Sequence, residues 1–108
     1  MLYEIESQPS AHKDTILLHP DDSVAIARKN IEAGRDLEVN GVAMRTLAPI
    51  PAGHKVAIRA VRTGDPVYRY GNVIGFATST IQPGEHVHVH NLGYQELDTA
   101  AVAVAEKP

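Results

Sequence analysis

One spacing recurs four times in this chain of 108 residues and limits what it can become: an aliphatic residue, two residues, glycine, two residues, another aliphatic. The copies are Ile31-Glu-Ala-Gly34-Arg-Asp-Leu37, Ile50-Pro-Ala-Gly53-His-Lys-Val56, Val61-Arg-Thr-Gly64-Asp-Pro-Val67 and Ile81-Gln-Pro-Gly84-Glu-His-Val87. Glycine takes positive φ without steric cost, and a proline such as Pro83 before it presets φ for a type II turn. Each copy therefore predicts a strand end, a tight glycine turn and the start of the next strand.

A second echo agrees. Val24-Ala25-Ile26 and Val56-Ala57-Ile58 each lead into one of these turns. Asp22-Ser23 could instead cap a helix from Val24 to Lys29, but the match to the unit at Val56 favours a strand. Tyr70-Gly71-Asn72-Val73-Ile74-Gly75 supplies a further turn. Valine and isoleucine outnumber leucine, as suits a pleated surface. The expectation is an all-β domain of short strands joined by glycine turns. Residues 1–14 read as a flexible lead-in, 15–92 as the folded domain, and 93–108, ending in TAAVAVAEKP, as a tail or edge segment.

The net charge of −3 and the lack of a basic run give no footprint for nucleic acid or anionic lipid. No apolar stretch approaches the roughly 20 residues of a membrane span. MLYEIESQPS has neither the basic start nor the apolar run of a signal peptide. Cysteine is absent, which removes disulfide and thiolate chemistry and favours an intracellular, cytoplasmic setting.

The chemistry-bearing residues are histidines. Three of the six lie in Gly84-Glu85-His86-Val87-His88-Val89-His90-Asn91. On a strand, alternate side chains share a face about 6.5–7 Å apart. Val87 and Val89 would then face the core and the three imidazoles would face outward. Two such histidines can share a metal if another ligand arrives from elsewhere; a merely polar outer face accounts for the same spacing. Gly53-His54-Lys55 sets a titratable ring beside a cation at a turn, which suits an anionic ligand as well as it suits a solvated corner. His19-Pro20-Asp21-Asp22 reads first as a turn before a strand, with a carboxylate to offer. His12 is expected to do nothing, and Tyr68, Arg69 and Tyr70 are read as structural. No nucleophile triad, P-loop or dinucleotide fingerprint is present.

Taken in order, Asp22-Ser23-Val24-Ala25, Gly53-His54-Lys55-Val56-Ala57, Tyr70-Gly71-x-x-Ile74-Gly75 and Gly84-Glu85-His86-Val87-His88-x-His90-Asn91 resemble the N-terminal domain of the altronate/galactarate dehydratase family. The resemblance covers Thr15 to Leu92. It implies an SAF domain, a β-clip fold shared with sialic acid synthases and type III antifreeze proteins. It also implies a role as small subunit or N-terminal domain of a sugar-acid hydro-lyase, inactive alone and completed by a large catalytic partner. Similar short chains form the small subunit of two-subunit sulfolactate sulfo-lyase. The family uses a divalent metal, usually iron. Carried onto this sequence, His54 and Lys55 are expected to be catalytic, His90, Asn91 and Asp22 to bind substrate, and His86 and His88 to hold metal. Ser23 departs from the asparagine common at its position. Two other readings are a non-catalytic module for anionic carbohydrate and a histidine metal-binding protein; a homo-oligomer is compatible with each.

Overall fold

The computed structural model describes residues 10–11 and 14–94, all of it strand, turn and loop. Ten strands follow in order: β1 (Ser10–Ala11), β2 (Thr15–Leu17), β3 (Val24–Ala27), β4 (Asp36–Val39), β5 (Val42–Arg45), β6 (Lys55–Ala57), β7 (Pro66–Arg69), β8 (Asn72–Ala77), β9 (His86–Val87) and β10 (Leu92–Gly93). They form a five-stranded sheet, β1-β2-β3-β6-β9, a three-stranded sheet, β10-β8-β7, and the hairpin β4-β5. Val24 thus begins a strand. β1 falls inside the expected lead-in and pairs with β2. His12 and the TAAVAVAEKP segment lie outside the described residues.

The four glycine copies are the frame of the fold. Gly34, Gly53, Gly64 and Gly84 have φ of 79°, 82°, 89° and 90°, the left-handed region that a type II turn demands at its third residue. Three turns close with the expected bond: the amides of His54, Asp65 and Glu85 donate to the carbonyls of Pro51, Arg62 and Gln82 at 3.0, 2.9 and 3.1 Å. The first is closed differently. The Arg35 amide donates to Thr46 Oγ1 at 2.8 Å, and that hydroxyl donates to the Glu32 carbonyl at 2.7 Å, so a buried threonine bridges the turn.

The copies lock in pairs. Ile31 and Ile50 exchange two backbone hydrogen bonds at 2.8 Å, and Val61 and Ile81 do the same at 2.9 and 2.8 Å. Around each bridge, a turn glycine donates to the carbonyl of a small residue in the partner copy: Gly34 to Thr46, Gly53 to Ala27, Gly64 to Ala77 and Gly84 to Ala57. Ala27, Thr46, Ala57 and Ala77 each stand four residues before the bridging aliphatic, which extends the repeat upstream. Each pair is a clip with its own core. The first clip buries Leu17, Ala25, Ile31, Leu37, Val39, Ile50 and Val56. The second buries Val24, Val61, Val67, Ala77, Ile81, Val87 and Leu92. Fully burying one such aliphatic contributes roughly 1.5–3 kcal/mol.

Strands β3 and β6 join the clips. Their register, Val24↔Ala57 and Ala25↔Val56, sends alternate side chains into the two cores. Each clip also carries a hairpin on a two-residue turn with positive φ at both positions, Asn40-Gly41 and Tyr70-Gly71. Asparagine tolerates this conformation; tyrosine does so at a cost of about 1 kcal/mol. Tyr70 is held there by Asp22, whose two carboxylate oxygens accept the Tyr70 and Gly71 amides at 2.8 Å each.

Candidate functional site

The second and fourth turns, one from each clip, end beside each other because β6 and β9 pair, with Val56 opposite His86 and Lys55 opposite Val87. That pairing places the corner Gly53-His54-Lys55 against the start of the histidine row. The His54 and His86 rings stack with centroids 5.1 Å apart, and His54 Nδ1 lies 2.9 Å from His86 Nε2, so one ring N–H donates to the other nitrogen. His88 stacks on His54 at 4.5 Å and on His86 at 5.4 Å. All three rings are half-buried. The exposed His90 flanks them, its ring tilted 5.5 Å from His86.

The row is not one strand. β9 stops at Val87, and His88 to Asn91 form a turn in which the His88 carbonyl accepts the Asn91 and Leu92 amides at 3.1 and 2.9 Å. Val87 is in the core as expected, but Val89 is 69% exposed, contrary to the alternating-strand expectation. The reason is Asn91. Its Oδ1 accepts the His88 amide at 2.9 Å and its Nδ2 donates to the His86 carbonyl at 2.9 Å, folding the chain back after two strand residues. The turn lets His88 reach across to His54.

Two of the residues expected to bind substrate are buried in the fold. Asn91 is 1% exposed and its amide is engaged as just described, while Asp22 is 0% exposed with both oxygens on the Tyr70-Gly71 turn. Of that group only His90 presents its side chain to solvent. Lys55, half-buried on β6, is near enough to Arg69 at the end of β7 for their charges to repel; burial, and then Arg69, lower the Lys55 pKa. Arg69 was read from sequence as structural, and its placement beside this face is a tertiary effect that no local motif signals.

The electrostatics favour the neutral form of two of the rings, His86 and His88. Partial burial first, then His54 and the other cationic neighbours, push the His86 pKa below the ordinary imidazole value. His88 shifts the same way, from partial desolvation, His54, Lys55 and His90. Neutral imidazoles are the form that binds metal. One nitrogen from each of His54, His86 and His88 can be chosen so that all lie within 4.8 Å of one another. Metal–nitrogen bonds of about 2.0–2.1 Å in tetrahedral geometry put ligand nitrogens about 3.3 Å apart. The observed separations, from 2.9 Å upward, bracket that value. The three imidazoles are thus close enough together to be candidate ligands of one divalent cation.

Fold and site together define an all-β double clip whose two turns present a cluster of imidazoles beside a lysine. The same features mark one family: residues 13–95 match the altronate/galactarate dehydratase SAF domain, and the chain belongs to that family. It is 38% identical over 79 residues to altronate dehydratase of Bacillus subtilis and 34% identical over 76 residues to altronate dehydratase of Escherichia coli. These matches take in 73% and 70% of this chain but 16% and 15% of the relatives. It is also 39% identical over 88 residues to the (2R)-sulfolactate sulfo-lyase subunit alpha of Chromohalobacter salexigens, covering 73% of this chain and 92% of that subunit. The homologues are thus a small lyase subunit or a minor part of a longer dehydratase. Among the described residues no helix is long and apolar enough to cross a membrane.

Proposed function

We propose that this chain is the small subunit, or the N-terminal domain, of a lyase that eliminates water or a comparable group from a sugar acid or sulfo acid. A large catalytic partner closes over the histidine face. One observation carries the reading: two turns far apart in sequence converge so that His54, His86 and His88 meet beside Lys55, without a carboxylate bonded to any of them among the described residues. The set offers imidazoles that exchange protons near neutral pH and a cation for an acidic substrate, the two needs of elimination beside a carboxylate.

His54, His86 and His88 would hold the divalent metal that the family uses. When bound, it would supply Lewis-acid polarisation of substrate oxygen. Lys55 then steadies the negative charge of the acid, and exposed His90 borders the entrance and contacts substrate. His54 keeps its ring oriented through His86 whether it serves as a ligand or exchanges a proton. Asn91 and Asp22 act at one remove, by fixing the turn that carries His88 and the Tyr70-Gly71 turn that follows Arg69.

The test is reconstitution with the long partner of the same lyase and assay with altronate, galactarate and (2R)-sulfolactate. His54→Ala and His88→Ala are expected to lower turnover at least tenfold while the small chain stays folded. Unchanged kinetics in both variants would end the proposal.

A further inference from the structure

The two clips carry matching hairpins and finish them differently. On the first, Asn40 and Gly41 form the turn, and no side chain bonds to their amides among the described residues. A Cβ on Gly41 would meet nothing within 4 Å. On the second, Tyr70 stands where the first has Asn40, with φ of 62° against 54°. Three groups secure that tip. Both carboxylate oxygens of the buried Asp22 accept the Tyr70 and Gly71 amides at 2.8 Å. The Asn72 side-chain amide donates to the Tyr70 carbonyl at 3.2 Å. The His19 ring lies against Gly71, 3.0 Å from where a Cβ would stand.

The chain itself makes no use of the side chain so mounted. Tyr70 is 63% exposed, and its hydroxyl makes no hydrogen bond among the described residues. Asparagine, the residue of the first hairpin, bears the left-handed conformation better than tyrosine. Strain that the surroundings hold in place collects at functional positions. A rigidly mounted, exposed tyrosine is the side chain on which protein interfaces centre, because it brings a large ring and a hydroxyl at little entropic cost.

Tyr70 has company. Of the six large apolar side chains exposed among the described residues, four are Tyr70, Val73, Val89 and Tyr94. Val73 is on β8 just past the turn, Tyr94 directly follows β10, and Val89 lies in the turn between β9 and β10. All four belong to the sheet β10-β8-β7 or to the turn that enters it. That turn is tied to the end of β8. The Thr78 amide donates to the Asn91 carbonyl at 3.0 Å, and the Thr78 hydroxyl to the His90 carbonyl at 3.5 Å. Strand β8, six residues and about 20 Å long, then runs from the turn holding His88 and His90 to the tip holding Tyr70.

We propose that the β10-β8-β7 sheet, with Tyr70 at its tip, is the surface on which the long catalytic chain docks. A pocket of that chain receives the tyrosine ring and offers an acceptor to its hydroxyl. This rests on reading the protein as one part of a larger lyase, and it names the face by which the parts join. Continuity selects this occupant: a partner that closes over the histidine face meets the sheet through the turn they share.

The experiment measures the affinity of the intact chain for the long chain of the same lyase by calorimetry, with urea denaturation of each variant alongside. Tyr70→Asn installs the residue of the first hairpin. Its urea midpoint equals or exceeds the parent's, while its affinity falls at least about tenfold. Tyr70→Phe keeps the ring and loses about threefold in affinity. Val42→Thr, on the first hairpin, binds as the parent does. Parental affinity in Tyr70→Asn would overturn the proposal and leave the lyase reading intact, as would equal weakening by Val42→Thr. A lowered urea midpoint in Tyr70→Asn would also overturn it, since the ring would then serve the fold itself. A dimer of the chain alone, seen in sedimentation and abolished by Tyr70→Asn, would give the face to a second copy instead. No binding of the long chain by the parent would remove the lyase reading and the docking surface together.

Discussion

Two sets of polar residues lie within a few strands of each other and are treated in opposite ways. Asp22, Asn91, Thr46 and Asp14 are buried, and the first three have their side-chain oxygens or amide spent on backbone groups while Asp14 takes two cations. His54, His86, His88, Lys55 and Arg69 are half-buried, crowded with like partners, and short of counter-charge. The first set shapes turns. The second is left uncompensated by the fold. Polar residues that a fold satisfies fully are its fasteners; those it leaves wanting point to a ligand.

Substitutions separate the two sets. Asp22→Ala strands the Tyr70 and Gly71 amides of a strained hairpin, so a loss of about 4 kcal/mol is expected in urea denaturation. A loss below about 1 kcal/mol would place Asp22 with the site instead. Next comes the imidazole cluster: if it holds metal as proposed, His88→Ala and His54→Ala should each weaken Zn²⁺ or Co²⁺ binding by calorimetry about 100-fold, with the urea midpoint in metal-free buffer little changed. Asn91→Ala should do both, costing about 2 kcal/mol of stability and weakening metal binding because His88 loses its turn. If it weakened metal binding with no stability cost, the fastener reading of Asn91 would fall.

The smallest effect is on pH. His86 and His88 have folded pKa values below the ordinary 6.5, so above that pH both states are neutral and stability is flat. As pH falls below 6.5 the unfolded chain takes up protons that the folded cluster resists, and stability declines until the folded pKa values are passed. Denaturation midpoints measured from pH 7.5 to 5 should show this slope in the parent and a flatter one in a His86→Ala/His88→Ala variant. Metal release should follow the same direction, since protons compete for the ring nitrogens.

Much of the frame could be read in the residues. Glycine at fixed spacing states a backbone requirement directly, so the four turns and the all-β class were legible. The small residue four places before each bridging aliphatic was not, because alanine is common and its reason is a hydrogen bond to a partner copy. The run His86 to His90 alternates as a strand should, yet Asn91 ends the strand early through its side chain. Local pattern cannot weigh that competition. His54 was suspected and its neighbourhood was not, since the distance from His54 to His86 along the chain is closed only by the β6–β9 pairing. Arg69 was overlooked for a deeper reason: what singles it out is the lack of a partner, a property that exists only in three dimensions.

Gly84 ties these themes to the order in which the protein is made. A Cβ there would overlap the Arg45 carbonyl, and the Gly84 carbonyl accepts the Leu47 amide at 2.9 Å. The fourth turn is thus seated on the hairpin of the first clip, a non-local stitch between the halves. Non-local closures of this kind form late, after shorter loops have lowered the entropy of bringing the ends together. The imidazole cluster, which needs His54 together with His86 and His88, therefore assembles only once the stretch after Gly84 has joined the sheet.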